Sequence, residues 1–217
     1  AGQAFYCCER TTKIPTENKK YYEAELSEKN MNGIVGMRNK NGTGLAFVSA
    51  EGLHECAAHE NGDIYITLLR SFHNVFLHPD AVNSQLQQKL TYRYSFVLLR
   101  KDTEYCDLLK MQNSLANIDL MSFCKTPTNY KPEEKSYLHV ENSHIILSAF
   151  KVAEEKDGVV VRLFNATDRS QCSNIKINKE LTGNLTNLNE EVLSDITLKN
   201  CCQIDFKPWE IKTIKFN

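Results

Sequence analysis

The sequence predicts a mainly β protein: a large antiparallel β-sandwich followed by a smaller β-sheet domain, with one short helix. Three observations carry this expectation. Apolar, β-branched and aromatic residues recur in short runs rather than in long amphipathic stripes. Asn41-Gly42, Asn61-Gly62 and Asp157-Gly158 punctuate those runs, at positions where a tight hairpin turn needs positive φ. Helical spacing shows only over 103–117, so nothing alternates strand and helix as a parallel α/β fold must.

At 217 residues the chain can bury a sizeable core, as one large domain or two small ones. Its formal net charge of −1 leaves no basic excess to hold nucleic acid. The longest apolar runs, such as 145–150, fall far short of a membrane span. The first residue is Ala1, with no initiator Met and no signal-peptide pattern, which predicts a piece of a longer protein.

In chain order, 5–26 reads as irregular or edge strands anchored by Tyr21 and Tyr22, and 30–33 as a turn. Strands over 34–37 and 45–48 flank Asn39-Lys40-Asn41-Gly42. A second hairpin joins Gly52-Leu53-His54-Glu55-Cys56 to 64–71 through Asn61-Gly62-Asp63. Its second arm is apolar on both faces, with Ile64, Ile66 and Leu68 on one and Tyr65 and Leu69 on the other. That pattern predicts a central strand covered on both sides and ending in Arg70 at the rim of the core. The polar stretch 74–88, with Pro79, is expected to be a long functional loop.

From Leu90 the chain alternates strictly. Leu90, Tyr92, Tyr94, Phe96 and Leu98 are expected on a buried face, and Thr91, Arg93 and Ser95 in water. Over 103–117, Tyr105, Leu108, Leu109, Gln112 and Leu115 form one helical stripe, with Asp102 or Thr103 as cap. The Pro-rich stretch 127–134 reads as a linker, dividing a large sandwich over 1–130 from a smaller domain over 131–217. Beyond it, 145–152 and 159–164 form a hairpin, and 175–177, 204–206 and 209–216 complete a second sheet system. The stretch 180–195 fits no single element.

The eight cysteines include two adjacent pairs, Cys7-Cys8 and Cys201-Cys202, and no C-x-x-C spacing. Neighbours on a strand point to opposite faces, so such a pair does not chelate one ion. Reduced, mostly buried thiols in a reducing, cytoplasmic compartment are the expectation. Asn41, Asn165 and Asn184 fit the glycosylation pattern only as chance matches in an Asn- and Thr-rich chain.

Four blocks share an order with one known family. They are Gly52-Leu53-His54-Glu55-Cys56 with Thr67-Leu68-Leu69-Arg70-Ser71; Ser84-Gln85-Leu86-Gln87 leading into Thr91-Tyr92-Arg93-Tyr94; Ile145-Ile146-Leu147-Ser148-Ala149-Phe150-Lys151 with Glu154 and Val160-Val161-Arg162-Leu163-Phe164-Asn165; and Lys207-Pro208-Trp209-Glu210-Ile211-Lys212-Thr213-Ile214. Together they resemble the C-terminal region of glycoside hydrolase family 38, the α-mannosidases. Cys56 and Gln88 depart from the family pattern, where a Tyr and a Gly are usual.

The resemblance implies a parent that hydrolyses α-mannosidic bonds by a retaining double displacement, with zinc and an aspartate nucleophile in an N-terminal α/β barrel. This chain is shorter than the ~250 residues of a typical closed barrel. It is therefore expected to hold no catalytic residue, no metal and no other cofactor, and to be inactive alone. The implied partners are its own N-terminal catalytic domain and an α-mannoside, with neither nucleic acid nor membrane, and homo-oligomerisation is left open. The β-sandwich would brace the barrel and form one wall of the sugar site. Two other functions stay open: a stand-alone carbohydrate-binding module, which needs exposed aromatics in a row, and a structural or dimerisation domain, which needs a large apolar face.

Arg70, His73, Gln85 and Gln87 are the candidates for contact with substrate or with the catalytic domain. Against a sugar-facing role, Arg70 is expected to pair with Glu55 across the hairpin. His54, Cys56 and His59 suggest a metal site, but on a strand His54 and Cys56 share one face, His59 takes the other, and a fourth ligand is lacking. His78-Pro79-Asp80 reads as a polar turn. Trp209 is expected in the core beneath the last strand rather than as a sugar platform.

Overall fold

The computed structural model describes residues 1–13, 26–50, 52–72, 82–116, 136–177, 181–198 and 201–216. The chain divides into two compact units, 1–117 and 118–217. Tyr21, Tyr22, Cys124 and the expected linker at 127–134 lie outside the described residues.

The first unit holds β1 (Glu28–Asn30), β2 (Ile34–Arg38), β3 (Gly44–Ser49), β4 (Glu55–Ala58), β5 (Ile64–Ile66), a 3₁₀ turn (Val82–Gln85), β6 (Tyr94–Leu99) and α1 (Tyr105–Ala116). The strands form two antiparallel sheets, β1-β4-β5 and β2-β3-β6. Both expected Asn-Gly hairpins are present. Gly42 and Gly62 sit at φ 80° and 96°, where a side chain would be strained. In the first turn the Asn39 Oδ1 accepts from the backbone N–H groups of Asn41 (2.9 Å) and Thr43 (3.2 Å). Arg38 then donates to the carbonyls of Arg100 and Thr103, both at 2.6 Å, tying this hairpin to the loop before α1.

Both faces of β2-β3-β6 are apolar. Val35 and Phe47 pack on one side with Met31, Leu53 and Cys56 of the other sheet's neighbourhood. On the opposite side a Cβ at Gly36 would meet Ala46 and Leu99, and one at Gly2 would meet Ile34 and Tyr105 of α1. The helix covers that side with buried Cys106, Leu108 and Leu109. Gln112 Nε2 fixes the packing by donating to the carbonyls of Asn32 (3.0 Å) and Ser49 (3.1 Å). The helix falls where its stripe predicts, but its cap differs. Asp107 Oδ2 accepts from the Glu104 N–H at 3.0 Å, while Thr103 Oγ1 accepts from the Arg100 N–H in the preceding turn.

Two strand expectations are overturned. The arm after Asn61-Gly62 is neither central nor covered on both faces: β5 is three residues long, ends its sheet, and leaves Tyr65, Leu68 and Leu69 exposed. Beyond Thr67 its continuation is held by side chains, with the Tyr92 hydroxyl donating to the Leu68 carbonyl and Ser84 Oγ to that of Phe72, both at 2.5 Å. In β6 the faces are reversed. Val97 and Leu99 turn inward with Ala46, while Tyr94, Phe96 and Leu98 face out. Past Ser95 every residue of the strand is apolar, so alternation alone could not choose a face.

The second unit holds β7 (Leu138–Val140), β8 (Ile145–Val152), β9 (Val159–Asn165), β10 (Gln171–Ile177), β11 (Leu181–Thr186), β12 (Val192–Leu198), β13 (Cys201–Phe206) and β14 (Ile211–Phe216). A three-stranded sheet, β13-β10-β7, contributes Ile175, Ile204 and Phe206 to one core with Val161, Leu163, Ile214 and Phe216 of the five-stranded sheet β12-β11-β14-β9-β8. This is a β-sandwich, with inward residues alternating along β10 and β13. The ambiguous stretch 180–195 is a hairpin, β11–β12, closed by Asn187 Oδ1 accepting from the N–H groups of Asn189 (2.9 Å) and Glu191 (3.0 Å).

The cysteines are less buried than expected. Of the described ones, Cys56 and Cys106 are buried, Cys8 and Cys202 half-buried, and Cys7, Cys172 and Cys201 exposed, all as free thiols. On β10 and β13 the isoleucines and Phe206 take the inner positions and leave Cys172 and Cys201 the outer ones. Trp209 is half-buried in the turn before β14, at φ 58°, rather than inside the last strand.

Asn165 explains one sequence motif. It is 0% exposed; its amide donates to the carbonyls of Arg169 (2.6 Å) and Lys207 (2.9 Å), and its Oδ1 accepts from Thr167 N–H (3.0 Å) and Oγ1 (2.7 Å). A glycan has no access there. Asn165→Ala leaves these buried groups unpaired and should cost about 2–4 kcal/mol. The check is a urea titration followed by the fluorescence of Trp209, the lone tryptophan. An unshifted midpoint would contradict this role.

Candidate functional site

Two features of the first unit bear on function. The first is the cluster around Glu55. Glu55 opens β4, and Thr67, just past β5, donates its N–H to the Glu55 carbonyl at 3.1 Å. Its hydroxyl donates to Glu55 Oε1 at 2.5 Å, and Arg70 Nη2 donates to the same oxygen at 2.6 Å. The Thr67 hydroxyl, and then the Arg70 guanidinium, hold the Glu55 carboxyl below its ordinary range. Arg70 is thus the cross-hairpin partner of Glu55, with its side chain 58% exposed.

Gln85 is half-buried at the end of the 3₁₀ turn and Gln87 is exposed. His73 and His78-Pro79-Asp80 lie outside the described residues. His54, Cys56 and His59 do not fit a zinc site. His54 is exposed, Cys56 is buried in the core, and the His59 ring packs edge-on against Tyr65 at 5.1 Å.

The second feature is an open groove of about 790 Å³ between the two sheets. Ile64, Ile66 and Leu68 line one wall, Leu45, Phe47, Tyr94 and Phe96 the other. Its end is lined by the turns that carry Asn39, Thr43, Glu60, Asn61 and Asp63. Buried Phe47 supports Tyr94 and Phe96 at ring-centroid distances of 5.3 and 5.9 Å. Even so, Phe96 stays 64% exposed and the neighbouring Leu98 81%. Sequence reasoning placed both in the core; the signal available against that was the second apolar face, Val97 and Leu99.

Residues 144–214, which span β8 to β14, match the family model described as the glycosyl hydrolases family 38 C-terminal beta sandwich domain. That match lies wholly within the second unit. No curated relative matches the chain. The chain is similar in fold to an α-mannosidase from Enterococcus faecalis V583, with a TM-score of 0.78 and 21% identity over 100% of this chain. It is likewise similar to a protein in glycosyl hydrolase family 38 from Enterococcus faecalis, with a TM-score of 0.71 and 22% identity over 88% of this chain. It spans only 24% and 22% of those two chains. The β8–β9 hairpin and the strand after Lys207-Pro208-Trp209-Glu210, two of the four family 38 blocks, fall inside the matched residues.

The Glu55–Arg70 pair is solvent-screened, so a double-mutant cycle on Glu55→Gln and Arg70→Ala should return a coupling of about 0.2–1 kcal/mol that shrinks with salt. The carboxyl is lowered in the folded state, so its contribution is complete above the ordinary glutamate range near ~4.3 and is lost as pH falls through the lowered value. Glu55→Gln should flatten the acid limb of a stability-against-pH curve slightly. A coupling above ~2 kcal/mol would mean Arg70 does more than pair at the surface.

Proposed function

We propose that this chain is the C-terminal accessory part of an α-mannosidase-type glycoside hydrolase. The carrying observation is a family 38 C-terminal sandwich joined to a second β unit, in a fold that covers about a quarter of an α-mannosidase. In this reading the parent cleaves α-mannosidic bonds with retention. Zinc and the reacting carboxylates belong to its catalytic domain, outside these residues. The chain's own role is mechanical: its β units hold the catalytic part in register, as a site set to fractions of an ångström requires. Arg70 and the Gln85–Gln87 stretch belong to the surface that meets it, beside the sugar.

A stand-alone carbohydrate-binding module would use Tyr94 and Phe96. Their rings stand at 76° to one another, so they offer no flat platform for a pyranose. The geometry favours the accessory role.

The test is hydrolysis of an aryl α-mannoside with and without added zinc. The 217-residue chain should give no turnover, and the intact protein that contains it should give zinc-dependent turnover with retained anomeric configuration. Metal-dependent cleavage by the chain alone, or an intact protein inert toward α-mannosides, would overturn the reading.

A further inference from the structure

Sheet edges in soluble proteins are protected by shortness, charge, proline or a bulge, because a bare edge strand recruits another chain. The described edges here follow that rule with one exception. β1, β5 and β7 have three residues each. β8 carries Lys151 and a bulge between Leu147 and Ala149. β2, β12 and β13 carry Arg38, Asp195 and Asp205. β6 ends its sheet, runs unbulged over Tyr94-Ser95-Phe96-Val97-Leu98-Leu99, and carries no charge. Its outward face adds Tyr94, Phe96 and Leu98, beside Leu45 in register with Leu98.

We infer that the outer edge of β6, which pairs with no strand among the described residues, docks an extended strand with alternating apolar residues and acidic ends, supplied by the remainder of the α-mannosidase-type protein proposed above. Main-chain bonds along the edge would hold such a strand about 4.8 Å from β6, with alternate side chains on Phe96 and Leu98. Charge sets the ends. Between Lys89 and Lys101 the sequence carries Arg93 and Arg100 and no acidic residue. Both arginines are exposed and bracket the strand. A second copy pairing antiparallel through β6 would bring these basic ends together, which is unfavourable, whereas acidic ends complement them. The acids of the groove, Glu60 and Asp63, sit across it on the β4–β5 turn.

The inference rests on the functional reading only for the source of the strand. The test titrates the full chain with the capped peptide Glu-Val-Thr-Val-Thr-Val-Glu and its Lys-ended counterpart, reading amide hydrogen exchange over 94–99. The Glu-ended peptide should slow β6 exchange and bind at least about fivefold tighter at low salt, the gap closing as salt rises. Phe96→Asp and Leu98→Asp should each weaken binding tenfold or more with an unchanged circular dichroism spectrum, since both side chains are already exposed. Absence of β6 protection, equal affinity for the two peptides, or a dimer in light scattering that Leu98→Asp disperses would overturn it. Peptide binding beside an intact protein inert toward α-mannosides would remove the source named here; mannosidase activity without peptide binding would remove the docking edge alone.

Discussion

Covering the two apolar faces of β2-β3-β6 is the constraint on which the first unit depends. One face is closed by α1 through Cys106, Leu108 and Leu109, with Gln112 fixing the helix to two carbonyls. The other is closed only in part, where β1-β4-β5 covers Val35 and Phe47. Each large apolar side chain removed from water is worth about 1.5–3 kcal/mol. Among the described residues, Tyr94, Phe96 and Leu98 therefore represent several kcal/mol of unused burial, on an edge that lacks the usual guards. The Glu55–Thr67–Arg70 cluster and the Tyr92 hydroxyl are smaller terms. They fix the path of the chain past β5, so that the far wall of the groove stays open.

The second unit closes on itself. Its two sheets bury a single core, and its hairpin ends are cross-linked by charge. Lys151 of β8 pairs with Glu190 of the β11–β12 turn at 2.7 Å, and Lys215 of β14 pairs with Asp157 of the β8–β9 turn at 2.7 Å. The Glu190 carboxylate is only 7% exposed and also accepts from the Glu154 N–H, and the Lys151 ammonium holds it below its ordinary range.

Most of the fold was legible in the sequence, because hairpins announce themselves. Asn-Gly at 41–42 and 61–62 and Asp-Gly at 157–158 placed three turns, and the stripe through Leu108 and Leu109 placed α1. What stayed hidden was which face of a doubly apolar strand turns inward. For β6 that depends on α1 packing against β2 and β3 of the same sheet, a fact of tertiary packing rather than of period. The β11–β12 hairpin was obscured by Gly183-Asn184, weak strand formers at the centre of a real strand. Of the candidate site, the Arg70–Glu55 pairing was readable from hairpin register. The aromatic groove was not, since the same residues read as core.

On the proposed reading, these two β units serve an α-mannosidase-type enzyme whose chemistry lies elsewhere in the protein. The most direct measurement is the coding sequence upstream of Ala1. The reading frame should continue for several hundred codons of alternating strand and helix, with an early His-x-Asp pair suited to zinc. A start codon immediately before Ala1 would contradict it, and would leave a free-standing pair of β units whose aromatic edge meets some other protein.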